Sequence, residues 1–397
     1  MRKMAFFGNS VGWEVFALDL TSDPMRVKRV VRTALGPYPV DEAAADTLFA
    51  ITRGSPSVTA IDIPTLTPLG DIPLSHKPRS ASRHPTRGLV VVSGADRPRT
   101  SVVDVTARRV RLTVGVDHGG PVSGFGGSLA SGHERWLPDQ SAAAAPRFFV
   151  LDRVNRTVAV FRYDPPTGTK LFEAATPSPV HHLLADEPSR TWYALCEGRP
   201  ADGVPPSILP VRETATDTFE IGTAFELPVP KGSVAASGGH HLDAKGGRLF
   251  AGSNEGNLYV FDKTPLGANP VVLPTGPGCG HTRFTRFDGL DVAVTVNHTA
   301  PHVSVVDVST PGREAKLADI PVSVALPAGP DDKTQGHTTA VFADAPHLLY
   351  VMASLDATLR EVDLRARLVR RSVRLVQLAG SLPPVPLQGH FGEYTPL

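Results

Sequence analysis

Gly246-Gly247-Arg248-Leu249-Phe250-Ala251-Gly252-Ser253-Asn254, separated by three residues from Leu258-Tyr259-Val260-Phe261-Asp262, decides the fold. Two apolar runs of strand length are joined by a short polar turn, and the second run ends in Asp. The Asp-terminated run recurs as Val15-Phe16-Ala17-Leu18-Asp19, Val58-Thr59-Ala60-Ile61-Asp62 and Ser101-Val102-Val103-Asp104. It returns as Val303-Ser304-Val305-Val306-Asp307 and Leu359-Arg360-Glu361-Val362-Asp363, with degenerate copies at Thr157–Phe161 and Ser207–Val211. Asp19, Asp62 and Asp104 stand 43 and 42 residues apart. Each unit adds a weaker strand upstream and another after the Asp, such as Arg109–Val114. Four short strands in every 40–50 residues or so predict the blades of a β-propeller.

The Gly-Gly-Arg-Leu-Phe-Ala-Gly-Ser-Asn and Leu-Tyr-Val-Phe-Asp segments resemble the YVTN or surface-layer type of propeller repeat. That resemblance implies fold over nearly the whole chain and leaves activity open. Counting the Asp-type strands predicts an all-β chain of eight four-stranded blades, or seven if one degenerate copy is an insertion. The N-terminal unit lacks a first strand, and the tail from Val385 to Tyr394 is one strand left over. The two are expected to pair and close the ring, so that residues 1–397 form one domain. A Gly-rich insertion at about 116–146, including Gly119 to Gly127, reads as a loop over the channel mouth.

Composition agrees with a turn-rich fold and narrows the function. The chain has 397 residues, 36 of them Gly and 38 Pro, and Pro at that density is hostile to long helices. With 40 Lys+Arg against 39 Asp+Glu, the net charge of +1 offers no field for a nucleic acid or an anionic membrane. No apolar run is long enough to span a bilayer as a helix. Met1 to Ser10 lacks the longer apolar stretch and cleavage site of a secretory leader, which points to the cytoplasm unless a leader was removed. The two cysteines, Cys196 and Cys279, read as free thiols, with Cys279 near enough to His281 in sequence to be considered as a ligand.

The 14 histidines follow the repeat. His281 and His337 each stand seven residues before the Asp of the first turn, Asp288 and Asp344. Aligned with a small gap, His181 and His240 fall two residues further on, which keeps the same face of a strand. His390 and His133 extend the set to six. Imidazoles converging from several first strands predict a metal centre on the propeller axis, with copper or iron first and zinc as the alternative. The neighbours His182 and His241 should alternate to the other face and hydrogen-bond the ligand set or backbone. His298, on the same rim as the ligands, is a further outer partner.

Three functions fit. One is a metal-dependent enzyme, of oxidoreductase or oxygenase type, acting on a small-molecule substrate at the channel mouth. Carotenoid-cleavage oxygenases, propellers with four His around iron, are similar in architecture, and Gly389-His390-Phe391-Gly392 loosely resembles their C-terminal His-Gly segment. The second is a metal carrier similar to the propeller-type zinc chaperones that feed importers. The third is an interaction scaffold without metal.

Overall fold

The structure, a computed structural model, describes residues 2–116, 129–199, 202–230, 238–324, 333–375 and 387–394. Gly119 to Gly127, His118, Val385 and Pro386 therefore lie outside the described residues. The chain is all-β and forms the eight blades of a β-propeller, built from antiparallel sheets in chain order. Contacts divide it into two compact units, 41–240 and the combination of 1–40 with 241–397. Each boundary cuts a first strand, Pro37–Ala44 or Gly239–Lys245, and each strand is described here with the sheet to which it is hydrogen-bonded.

The Asp at the end of several third strands has a local task. Its carboxylate accepts the backbone N–H of the turn that follows, which fixes the reversal into the fourth strand. Asp62 takes the N–H of Thr65 at 2.7 Å, Asp104 that of Ala107 at 2.9 Å and Asp307 that of Ser309 at 2.8 Å. The repeat read in the sequence is thus a turn signal attached to a β-branched strand.

In the unit 41–240, apolar side chains of successive sheets interleave. Phe49 and Val58 cluster with Val90 and Val103, Val102 and Leu112 with Phe148 and Val150, and Phe149 and Val158 with Trp192 and Leu209. The other unit repeats the arrangement. Phe250 and Val260 cluster with Ala293 and Val306, Val294 and Val303 with Val351 and Val362, and Phe7 and Phe16 with Tyr350 and Leu359.

The N-terminal blade is made from both chain ends. Leu387–Tyr394 pairs antiparallel with Arg2–Asn9 in an unbroken register from Arg2↔Tyr394 to Asn9↔Leu387. Phe391 meets Phe7 edge-on at 5.3 Å, and Tyr394 meets Phe6 at 5.8 Å. The approach is tight at Gly389, where a Cβ would stand 1.5 Å from the Phe6 carbonyl oxygen.

Within the insertion at about 116–146, residues 131–137 run beside the three strands of the fourth sheet. Phe149 donates to the Arg135 carbonyl at 2.8 Å and Gly132 to that of Leu151 at 3.0 Å. The pairing is confined to bridges at Ser131↔Asp152 and Trp136↔Phe148, beside the regular strands Arg147–Asp152, Thr157–Arg162 and Thr169–Ala175. A segment with a Gly, a following Pro138 and no alternation of polar and apolar residues carries little strand signal. The fifth blade adds a short strand, Phe225–Glu226, to its four.

Deleting the chain from Leu387 onward exposes Phe6 and Phe7, both fully buried in the intact blade. That truncation is expected to cost at least ~3 kcal/mol, the scale for one large buried aromatic, in a single cooperative transition. Thermal denaturation of the two chains checks it, and an unchanged midpoint would refute the closure.

Candidate metal centre

Four buried histidines, His240, His241, His298 and His337, each offer a ring nitrogen lying within 4.8 Å of the others. They come from three successive blades. His240 and His241 sit on Gly239–Lys245, His337 on Gln335–Val341, and His298 in the turn between Leu290–Asn297 and His302–Asp307. A fifth ring, that of His281 on Cys279–Phe287, stacks on His241 at 3.6 Å and is partly exposed. His281 Nδ1 is 3.5 Å from Asp243 Oδ2, and that carboxylate is also held by the Thr282 N–H at 2.8 Å.

Hydrogen bonds assign the protons. His298 Nδ1 lies 3.1 Å from the Gln335 carbonyl oxygen, which can only accept, so Nδ1 carries the hydrogen and Nε2 carries the lone pair. Lys333 donates to His337 Nε2 at 2.7 Å. A neutral His337 then has its proton on Nδ1, which donates to His241 Nε2 at 3.0 Å. Burial, with the Lys333 ammonium second, holds the pKa of His298 well below the ordinary imidazole value. A neutral ring is the ligating form.

The fold keeps space for this arrangement. A Cβ on Gly280 would stand 2.3 Å from His298 Nε2, so only glycine leaves that nitrogen its place. The ladder slips between Cys279 and Thr282 and again between Gln335 and Thr339, around His281 and His337. Such bulges turn side chains away from strict alternation. A donor set of imidazoles suits zinc, copper or iron(II). A tetrahedral shell with bonds of ~2.0–2.1 Å needs its nitrogens about 3.3 Å apart, so the rings would draw together around an ion.

The sequence expectation placed His181, His240, His281 and His337 as ligands, with His182, His241 and His298 as their outer partners. The structure groups them differently. His241 and His298 stand with His240 and His337 in the cluster, and the His240–His241 pair does not split. His281 stands against His241, outside the four, and His390 pairs in register with Phe6 and is no member. His133, His181 and His182 form a second group in the unit 41–240, and the His181 ring stands 5.3 Å from that of His240. His133 bridges His182, and the His133 and His181 rings are 5.1 Å apart. His181 Nδ1 donates to Glu197 Oε1 at 2.5 Å, and Arg153 pairs with the other oxygen of Glu197.

Lys333, Glu197 and Arg153 were not anticipated, since a lone charged residue in a turn or strand carries no spacing signal. Gly280, next to His281, is the one signal that was available. The cysteines are free, and burial pushes both thiols up to about 12, so Cys279 is an inert core thiol.

Comparison with known proteins places the fold. No family model matches the chain, and no curated protein matches it either. Among solved structures, a protein from Lactobacillus plantarum is similar with a TM-score of 0.58 and 13% identity, covering 99% of this chain and 100% of that one. Apo AztD from Citrobacter koseri is similar with a TM-score of 0.58 and 13% identity, covering 99% of each chain. The dihydro-heme d1 dehydrogenase NirN gives 0.57 at 14% identity, over 86% of this chain and 66% of its own. At such identities the likeness is one of fold.

Acid should destabilise the protein. Burial lowers the pKa of His76, His84, His133, His181 and His298 in the folded state. The unfolded chain therefore binds protons first, and stability present above the unfolded value of ~6.5 is lost as pH falls below it. Burial also raises Glu134 to about 8 and Asp41 to about 6, which acts in the opposite direction, but five imidazoles outnumber two carboxyls. The urea midpoint is expected to fall between pH 7.5 and 5.5. A midpoint that held or rose would show that these rings are protonated in the fold.

Proposed function

We propose that the protein binds one transition-metal ion on His240, His241, His298 and His337 and acts as a metal carrier, with zinc as the first cargo. The observation that carries this reading is the close group of four buried imidazoles. Four protein ligands complete a tetrahedral shell and leave no position for a substrate, which favours holding over catalysis. Zinc has no geometric preference from its d electrons and accepts the set as it stands. The Asp-ended strands and the Gly246-Gly247 turn support a repeat of the YVTN or surface-layer type.

Lys333 controls the site in this reading. Its ammonium is bonded to His337 Nε2, and the His337 Nδ1 proton is given to His241. Ligation by either His337 nitrogen therefore displaces the lysine or the interimidazole bond, and binding an ion there displaces a neighbouring positive charge or releases a proton. The same contact favours a second reading, a metal-dependent oxidoreductase in which Lys333 supplies protons beside the ion.

Equilibrium dialysis with zinc checks the first reading. One ion per chain is expected, with His298→Ala or His337→Ala weakening binding by at least ~100-fold. Lys333→Met should tighten it by at least about tenfold, because a like charge in contact with a ligand is removed. Failure to bind zinc stoichiometrically would overturn the carrier, and an exchangeable water on the copper(II)-loaded protein would favour the oxidoreductase.

A further inference from the structure

In the unit 41–240, Arg79 is among the largest fully buried side chains, 1% exposed on the first strand of the third blade, Pro78–Arg83. Its Nη1 donates to the Ser131 carbonyl. Its Nε is buried and has no hydrogen-bond partner among the described residues. The Nη2 lies 3.5 Å from His181 Nδ1, but that nitrogen gives its hydrogen to Glu197 and cannot also accept one. The edge of the guanidinium that carries Nε and Nη2 is therefore without an acceptor.

The carboxylates that act on this charge, Glu197 and Glu134, are both held by other groups as well. Glu197 is engaged through one oxygen by His181 and through the other by Arg153. Glu134 accepts from the Thr100 hydroxyl at 2.6 Å, and burial raises its pKa to about 8, so it is largely neutral at pH 7. Asp41 accepts the Ala81 N–H and faces Arg53 and Arg135. Arg53 itself donates to the Arg79 carbonyl at 3.0 Å. A buried cation left in this state is costly unless something pairs with it.

We propose that Arg79, with His133 beside it, forms a binding site for a small oxyanion, a carboxylate or a phosphate group. The Nε–Nη2 edge presents two parallel donors, the fork that matches two oxygens of such a group. His133 is partly exposed, and His181, 5.1 Å away ring to ring, is buried. A neutral imidazole there adds one N–H donor. The His181–Glu197–Arg153 chain holds the wall of the site and leaves the fork to the ligand. The proposal uses no residue of the four-histidine group and stands whether or not a metal binds there.

Thermal denaturation of the full chain in inorganic phosphate or in acetate, against chloride at equal ionic strength, tests it. The wild type should show a saturable rise in Tm with phosphate, with acetate or with both, and the more effective anion identifies the group. Arg79→Met should lose that response and, without anion, melt no lower than the wild type, because a buried unpaired charge is gone. His133→Gln keeps the guanidinium and should weaken the anion several-fold, which serves if Arg79→Met does not fold. A wild-type response equal to that in chloride overturns the site. So does a folded Arg79→Met with an undiminished response, or, if that variant is unfolded, an unaltered His133→Gln.

Discussion

A four-stranded sheet of short strands has two apolar faces and can cover neither alone. Every other feature of this protein depends on that constraint. Val58 is buried because Val90 and Val103 of the next sheet lie against it, and Phe250 because Ala293 and Val306 do. Burial of this kind is worth about 25 cal/mol per Å² of apolar surface, and within each unit it is spread over successive sheets. The blade that uses both chain ends meets the same requirement. Leu387–Tyr394 covers Phe6 and Phe7, which would otherwise be left at an edge.

Once the faces are occupied by apolar contact, most histidines of the two groups stand near the starts of the first strands. There the ladder slips in several blades, between Pro78 and Ser80, Val180 and His182, Cys279 and Thr282, and Gln335 and Thr339. A bulge leaves side chains unaligned with the sheet faces. Histidine and arginine stand at those positions: Arg79, His181, His182, His281 and His337. Burying them costs solvation, so each cluster is held by specific partners, Gln335 and Lys333 for one and Glu197 for the other.

The two clusters differ in charge. Around His298 and His337 the rings are close enough to share an ion, and the Lys333 ammonium stands on a ring nitrogen. Around His181 the rings are tied to carboxylate and guanidinium groups, and the surplus is positive. The same residue type is thus prepared for a metal in one place and for a neighbour to an anion in another. Fixed partners decide which, through the tautomer they impose and the charge they leave unbalanced.

The sequence by itself determined the architecture. The Asp-ended strands, their spacing and the unmatched tail specify eight blades closed by the chain ends, because turn chemistry and strand patterning are local and repeat with the fold. It also marked the first strands as the place where histidines gather. It did not determine which imidazoles meet. Strict alternation puts His240 and His241 on opposite faces, whereas the structure brings both into one group, and bulges beside other histidines show how such alternation is broken. Lys333, Arg79 and Glu197 gain their roles only from neighbours far away in the chain. Tertiary structure alone decided those contacts, since burial and charge balance depend on which side chains the packed blades bring within hydrogen-bond reach.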